Sequence, residues 1–164
     1  MGRFRYRMQS ILDIKEKLET QAKQEFAVAK SALDTELDKL QGLKDRKRYY
    51  ENRAEELLHG TLQVQEIQDN KAAILKMDEY IELQKRNVKL AEAKLEIARQ
   101  HLADLMQERK MHEKLREHAF EEFVEDIKKQ ESKEVDELTS YTYGQRIQDK
   151  EKQSVDNGKG EGNG

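Results

Sequence analysis

The chain has 164 residues, with 31 basic and 34 acidic side chains, so 40% of it is charged and its formal net charge is −3. It has no proline and no cysteine, and apolar residues make up only 35%. That composition excludes disulfides, iron–sulfur clusters and thiolate zinc sites, and it leaves too little apolar surface for a thick globular core. The near-balance of charge and the lack of proline also argue against a disordered chain and favour long helices of the coiled-coil type.

The opening, Met1-Gly2-Arg3-Phe4-Arg5-Tyr6-Arg7, is basic but is not followed by the apolar stretch of a secretory signal. Tyr6 stands where a myristoylation signal needs Ser or Thr. No apolar run approaches the roughly 20 residues of a membrane span. A soluble, cytoplasmic protein is the expectation.

Apolar residues then recur at alternating spacings of three and four, which predicts a first helix over about 3–58. Its seam reads Phe4, Met8, Ile11, Leu18 and Ala22, with Lys15 as a polar member. After a shift near Ala22, read as a stutter, it continues as Phe26, Ala29, Leu33, Leu40, Leu43, Tyr50, Ala54 and Leu57. Glu36 and Lys47 are polar members of that second part.

His59-Gly60-Thr61 breaks the pattern, and Gly60 is suited to a positive-φ position closing the helix. The connection is expected over about 59–64 and a second helix over about 65–138.

The second seam runs Ile67, Ile74, Met77, Ile81, Val88, Ala91, Leu95, Ala98, Leu102 and Leu105, with Asn70 and Gln84 as polar members. Beyond Leu105 the strict register is expected to fail, because Arg109, His112 and Arg116 fall on it. Met111, Leu115, Ala119, Phe123 and Ile127 make a new stripe at spacing four. From Thr139 the residues are poorer helix formers, and 141–164 are expected to be a flexible tail ending in glycines.

Two long helices with a short connection must be antiparallel neighbours. The expected fold is therefore all-α, an antiparallel coiled-coil hairpin forming one domain over 1–140, with an overhanging C-terminal helix end and a disordered Gly-rich tail. At about 1.5 Å per residue the helices span roughly 80 and 110 Å, so the first covers the second only to about residue 120.

Enzyme chemistry finds no foothold. No phosphate-binding glycine loop occurs, and His112-Glu113-Lys114-Leu115-Arg116 has arginine where a zinc-protease motif needs its second histidine. The single Glu56-Leu57-Leu58-His59 spacing is not a di-iron site, which needs a second copy and two more helices. No catalytic residue, cofactor or metal is expected.

The informative residues are those that lie off the seam or cluster at an end. Leu83, Leu90, Ala93 and Ile97 line the opposite side of the second helix. Tyr49, Tyr50 and Tyr80 gather near the hairpin tip, where tyrosines suit a docking surface. Phe120, Phe123, Val124 and Ile127 are more apolar residues than a lone helix exposes. They either pack on the N-terminal segment or await a partner. Arg3, Arg5 and Arg7 around Phe4 and Tyr6 form a basic-aromatic cluster. A second, Lys44, Arg46, Lys47 and Arg48, reads as a solvated helix face.

The opening Phe4-Arg5-Tyr6-Arg7-Met8-Gln9-Ser10-Ile11-Leu12, the connection Gly60-Thr61-Leu62-Gln63-Val64-Gln65-Glu66-Ile67 and the closing run from Lys114 to Glu137, in that order and spacing, resemble the FliJ family of flagellar export components. The resemblance implies a non-enzymatic stalk that binds a hexameric export ATPase through the end bearing the termini. It also implies a tip facing the cytoplasmic domain of the membrane export gate, and an escort role for export chaperones. It places the protein in the cytoplasm, peripheral to the inner membrane face at the flagellar base through its partners. No nucleic-acid partner is expected, because the basic residues are otherwise interleaved with acids on a chain of net charge −3. Carried onto this chain, the gate-facing patch is Leu43, Tyr50, Met77, Tyr80 and Gln84, with Tyr49 standing in for an aromatic that is replaced by Arg46 here. The ATPase-facing end is Arg3, Arg5, Arg7, Phe120 and Phe123. The alternatives are a general coiled-coil scaffold without an ATPase partner, and a nucleic-acid or anionic-membrane binder using the N-terminal arginines.

Overall fold

The computed structural model describes residues 2–158. Among them there are two helices, α1 (Gln9–Leu58) and α2 (Val64–Gly158). The described residues divide into two units, residues 10–112 and residues 2–9 with 113–158.

In the first unit, α1 and the first half of α2 pack side by side and run antiparallel. Asn70 is paired with Tyr50, Gln84 with Glu36 and Arg109 with Glu19, so contacts move up α2 as they move down α1. The connection closes tightly: the His59 amide donates to the Glu56 carbonyl at 3.1 Å. Gly60 has φ +122°, a conformation that side-chain-bearing residues rarely adopt. The Ile67 amide then donates to the Gln63 carbonyl at 3.1 Å, and Glu66 in the first turn of α2 complements the helix dipole.

The second seam is as the spacing predicts. Met77, Ile81, Val88, Ala91 and Leu105 are buried, and Ile67, Ile74, Leu95, Ala98 and Leu102 are half-buried. On α1 the run from Ala22 through Phe26 to Leu57 is also as expected, with every seam position buried or half-buried.

The first turns of α1 differ. Leu12 and Glu19 are buried, while Ile11 and Leu18 stand at the exposed margin. Leu12, Lys15, Glu19, Ala22 and Phe26 continue the three-four alternation without interruption, so there is no stutter near Ala22. The physical reason lies opposite. Arg109 reaches Glu19, and a carboxylate with a guanidinium partner can occupy a seam position that an unpaired one cannot. The same pair carries the register past Leu105, since Arg109 and His112 remain half-buried, whereas Arg116 is exposed, so the expected loss of register holds there and not before.

Lys15, Glu36, Lys47, Asn70 and Gln84, the polar seam members named from the spacing, also meet partners. Lys15 Nζ lies 2.7 Å from Glu108 Oε2, and Lys47 Nζ lies 2.7 Å from Asp78 Oδ1. The Gln84 amide donates to the Glu36 carbonyl at 2.9 Å and to the Glu36 carboxylate. The Asn70 amide donates to the Tyr50 carbonyl at 2.9 Å. A one-heptad slip bringing Leu102 to the place of Arg109 would leave the Glu19 carboxylate against an apolar side chain. The polar layers therefore penalise alternative registers.

In the second unit, residues 2–6 are not helical, so α1 begins at Gln9 rather than near residue 3. A turn at Arg7–Met8 leads into it, with the Gln9 amide donating to the Tyr6 carbonyl at 3.1 Å. At the other end α2 continues past the expected stop near Leu138, through Thr139-Ser140-Tyr141-Thr142-Tyr143, to Gly158. No proline interrupts it, and Thr139 and Thr142 satisfy their hydroxyls on the Val135 and Leu138 carbonyls, each at 2.8 Å. The tail expected over 141–164 is therefore helical as far as Gly158, and its remainder, 159–164, lies outside the described residues.

Candidate partner-binding surfaces

Within the first unit, the six residues expected at the tip fall into two groups. Leu43 and Tyr50 are half-buried in the seam of α1, and Met77 and Gln84 are buried in the seam of α2. Gln84 is fully engaged, donating to Glu36 and accepting from the Asn87 amide at 3.2 Å. Met77 and Gln84 thus sit between the helices, while Leu43 and Tyr50 are only partly covered.

Tyr49 and Tyr80 are the outward members, 63% and 43% exposed. The two adjacent tyrosines of α1 meet edge to face, with ring centroids 5.5 Å apart. Tyr80 carries the Lys76 ammonium 5.6 Å from its ring centroid, a cation–π contact that orients the ring on its own helix.

A shallow groove beside Tyr49 and Tyr50 is lined by Arg53 and Leu57 from α1 and by Glu66, Asp69 and Asn70 from α2. The spacing analysis did not single out Arg53, Glu66 and Asp69, which give this aromatic patch a charged border. Their only sequence signal is position, one or two turns either side of the connection.

The opposite stripe of α2 is presented as expected, with Leu83, Leu90 and Ile97 all more than half exposed. Leu90 also lines a second groove with Val28, Ala29, Ala32, Ala91 and Lys94. The alanines on both seams make that groove by leaving space where larger side chains would fill it.

Electrostatics in this unit are local. Burial pushes the Glu19 carboxyl up, but the Arg109 hydrogen bond and charge, with Lys23 beside it, prevail and hold it below the usual carboxylate range. The hydrogen bond from Lys15 lowers the Glu108 carboxyl. The hydrogen bond to Asp78 raises the Lys47 ammonium. His112 has its Nδ1 buried without a hydrogen-bond partner.

In the second unit, Phe4 packs on Phe120 and Phe123, which stand three residues apart on α2. Its ring meets Phe120 edge-on at 5.2 Å and Phe123 at 5.4 Å. The apolar side chains that a lone helix would expose are thus covered, in part, by the N-terminal segment. Arg3, Arg5 and Arg7 are exposed, and none is ion-paired among the described residues. From residue 128 to 156 every side chain of α2 is exposed, including Val135, Leu138, Tyr141 and Tyr143.

Among the described residues, no group of three or more His, Asp or Glu side chains is arranged to hold a metal ion. Among the same residues, no helix is long and apolar enough to cross a membrane.

The profile of the FliJ family, described as flagellar FliJ protein, matches residues 4–148. That span begins at the aromatic that packs on Phe120 and ends inside the exposed stretch of α2. A solved structure from Chlamydia trachomatis, described as a YscO homologue, is similar with a TM-score of 0.69, covering 89% of this chain and 99% of that one. The two sequences are 22% identical, so the likeness is one of fold. No curated protein sequence matches the chain.

Proposed function

The chain belongs to the FliJ family, non-enzymatic components of the flagellar export apparatus, and from that premise we propose that it works as a coiled-coil stalk between two partners. One partner is the hexameric export ATPase, engaged through Arg3, Arg5, Arg7 and the exposed C-terminal stretch of α2. The other is the cytoplasmic domain of the export gate, engaged near the connection through Tyr49 and Tyr80. Export chaperones are a third class of partner, carried between the two. The protein then sits in the cytoplasm, held at the inner membrane face only through these partners.

The single observation that carries this reading is the stretch from 128 to 156. It is a helix of about eight turns by length, and it exposes Val135 and Leu138, apolar side chains that an interface would take out of water, beside Tyr141 and Tyr143, a residue type favoured in interface hot spots. A paired, polar-layered region supplies stiffness, and an unpaired helix supplies contact. The seam residues Leu43, Tyr50, Met77 and Gln84 support the tip from within, so the gate contact rests on the two exposed tyrosines and the groove beside them.

The test is ATP hydrolysis by the export ATPase of the same organism, with and without this protein, beside a form with Arg3, Arg5 and Arg7 changed to Ala. Stimulation by the intact chain and none by the altered one is the expected result. No change in rate and no co-purification with the ATPase would return the chain to the reading of a general coiled-coil scaffold.

A further inference from the structure

Residues 2–6 are non-helical, and their burial alternates along the chain. Phe4 and Tyr6 are half-buried, while Arg3, Arg5 and Arg7 are exposed. An extended backbone places every second side chain on the same side, with same-side neighbours about 7 Å apart. The two inward residues are both anchored. Phe4 sits against Phe120 and Phe123, and the Tyr6 carbonyl accepts the hydrogen bond that starts the turn into α1.

We infer that Phe4 is a positioning residue, whose packing on Phe120 and Phe123 fixes the N-terminal arm so that Arg3, Arg5 and Arg7 are displayed together to a carboxylate-rich partner surface. The inference deepens the proposed function and rests on its reading that these arginines face the export ATPase.

The chemistry follows from what the arm displays. Each guanidinium has five N–H donors and a fixed fork that matches a carboxylate. None of the three is ion-paired among the described residues, so no internal contact must break before a partner binds. Seven residues of free chain carrying the same charges would have to be ordered on binding, and that ordering subtracts from affinity. The aromatic packing orders the arm beforehand. Phe4 therefore acts on binding without touching the partner, and the two phenylalanines of α2 act through it.

This separates Phe4 from a residue that only stabilises the helix end. If it positions the arginines, its removal and theirs are the same loss seen twice, and the effects must be non-additive. If it only stabilises the fold, the effects multiply.

The experiment measures binding of the full chain to the purified ATPase hexamer at low and physiological salt. The proteins are the parent, Phe4→Ala, the Arg3→Ala/Arg5→Ala/Arg7→Ala form, the combination of all four changes, and Phe4→Trp. Far-UV circular dichroism on each shows that the helices persist. The expected result is roughly tenfold weaker binding for Phe4→Ala, with a shallower salt dependence although no charge is removed. In the Phe4→Ala background the arginine changes then cost much less than in the parent, and Phe4→Trp binds like the parent. Binding by Phe4→Ala equal to the parent, with the arginine form weakened, overturns the inference and leaves the proposed function standing. Multiplying effects overturn it in the same way. Parental binding by the arginine form overturns both, because the arm then faces no such surface.

Discussion

Residues 10–58 and 64–112 form helices that share a seam, whereas residues 128–156 form a helix with every side chain exposed. Both stretches are rich in Lys and Glu and poor in large apolar residues. The paired stretch buries only a thin line of side chains, chiefly Leu12, Ala22, Met77, Ile81, Val88, Ala91 and Leu105. It places an ion pair or side-chain hydrogen bond at each charged or amide layer in that line. The single stretch has no such line and depends on intrinsic propensity and on local bonds such as those of Thr139 and Thr142. One composition therefore serves two ends: a partner helix converts it into a stiff rod, and the lack of one leaves a surface to be covered.

The contrast breaks most readily at the seam. Ile81→Ala removes a buried side chain and should destabilise the paired region by about 2–3 kcal/mol, whereas Leu138→Ala should change unfolding by less than about 0.5 kcal/mol. Urea denaturation of each form measures both.

Glu19 sharpens the comparison. Glu19→Ala takes the seam carboxylate from Arg109 and should cost about 2 kcal/mol, while Glu19→Leu with Arg109→Leu should be near neutral. The carboxyl is held below its ordinary range in the folded chain, so its contribution is fully present above the unfolded value. It fades as pH falls through the lower folded value. The parent should therefore lose stability at acid pH relative to the double-leucine form, which thermal unfolding between pH 7 and pH 3 would reveal.

The two glycines of the paired region should respond in opposite directions. Gly60→Ala forces a side chain onto φ +122° and should destabilise by about 1 kcal/mol or more. Gly42 lies inside α1 with nothing near its missing Cβ, so Gly42→Ala should stabilise by about 0.5–1 kcal/mol.

The smallest effect is expected in the arm. The Tyr6 hydroxyl is buried without a hydrogen-bond partner, so Tyr6→Phe should leave stability unchanged or raise it slightly. A fall of more than about 1 kcal/mol would mean that the hydroxyl has a role the structure does not reveal.

Most of the pairing was legible because the three-four spacing is a direct image of the buried line. From Ala22 to Leu57 and from Ile67 to Leu105, spacing alone names the seam. It failed at Glu19 for a physical reason: a charged residue does not look like a seam residue, and Ile11 and Leu18 offered a plausible apolar substitute one position away. The missing signal was on the other helix. Arg109 broke the second seam where Glu19 would break the first, and two opposite charges at facing heights make one polar layer. The start of α1 was misjudged because Phe4 continues the helical spacing, yet it serves Phe120 and Phe123 from a non-helical segment. The end of α2 was misjudged because threonine and tyrosine propensities are weak preferences that a proline-free helix can override. For the tip, spacing alone put Met77 and Gln84 on the seam, and family resemblance put them on the docking patch. Their burial favours the seam, leaving Tyr49 and Tyr80 as the exposed pair.

The most direct measurement is amide hydrogen exchange along the whole chain, alone and with the export ATPase hexamer. Alone, residues 10–112 should be protected and residues 128–156 should exchange fast. With the ATPase, new protection should appear in residues 2–9 and 113–156 and leave 10–112 unchanged. Protection that appears only around Tyr49, Tyr80 and the connection, with the arm and the C-terminal stretch still exchanging freely, would contradict the account.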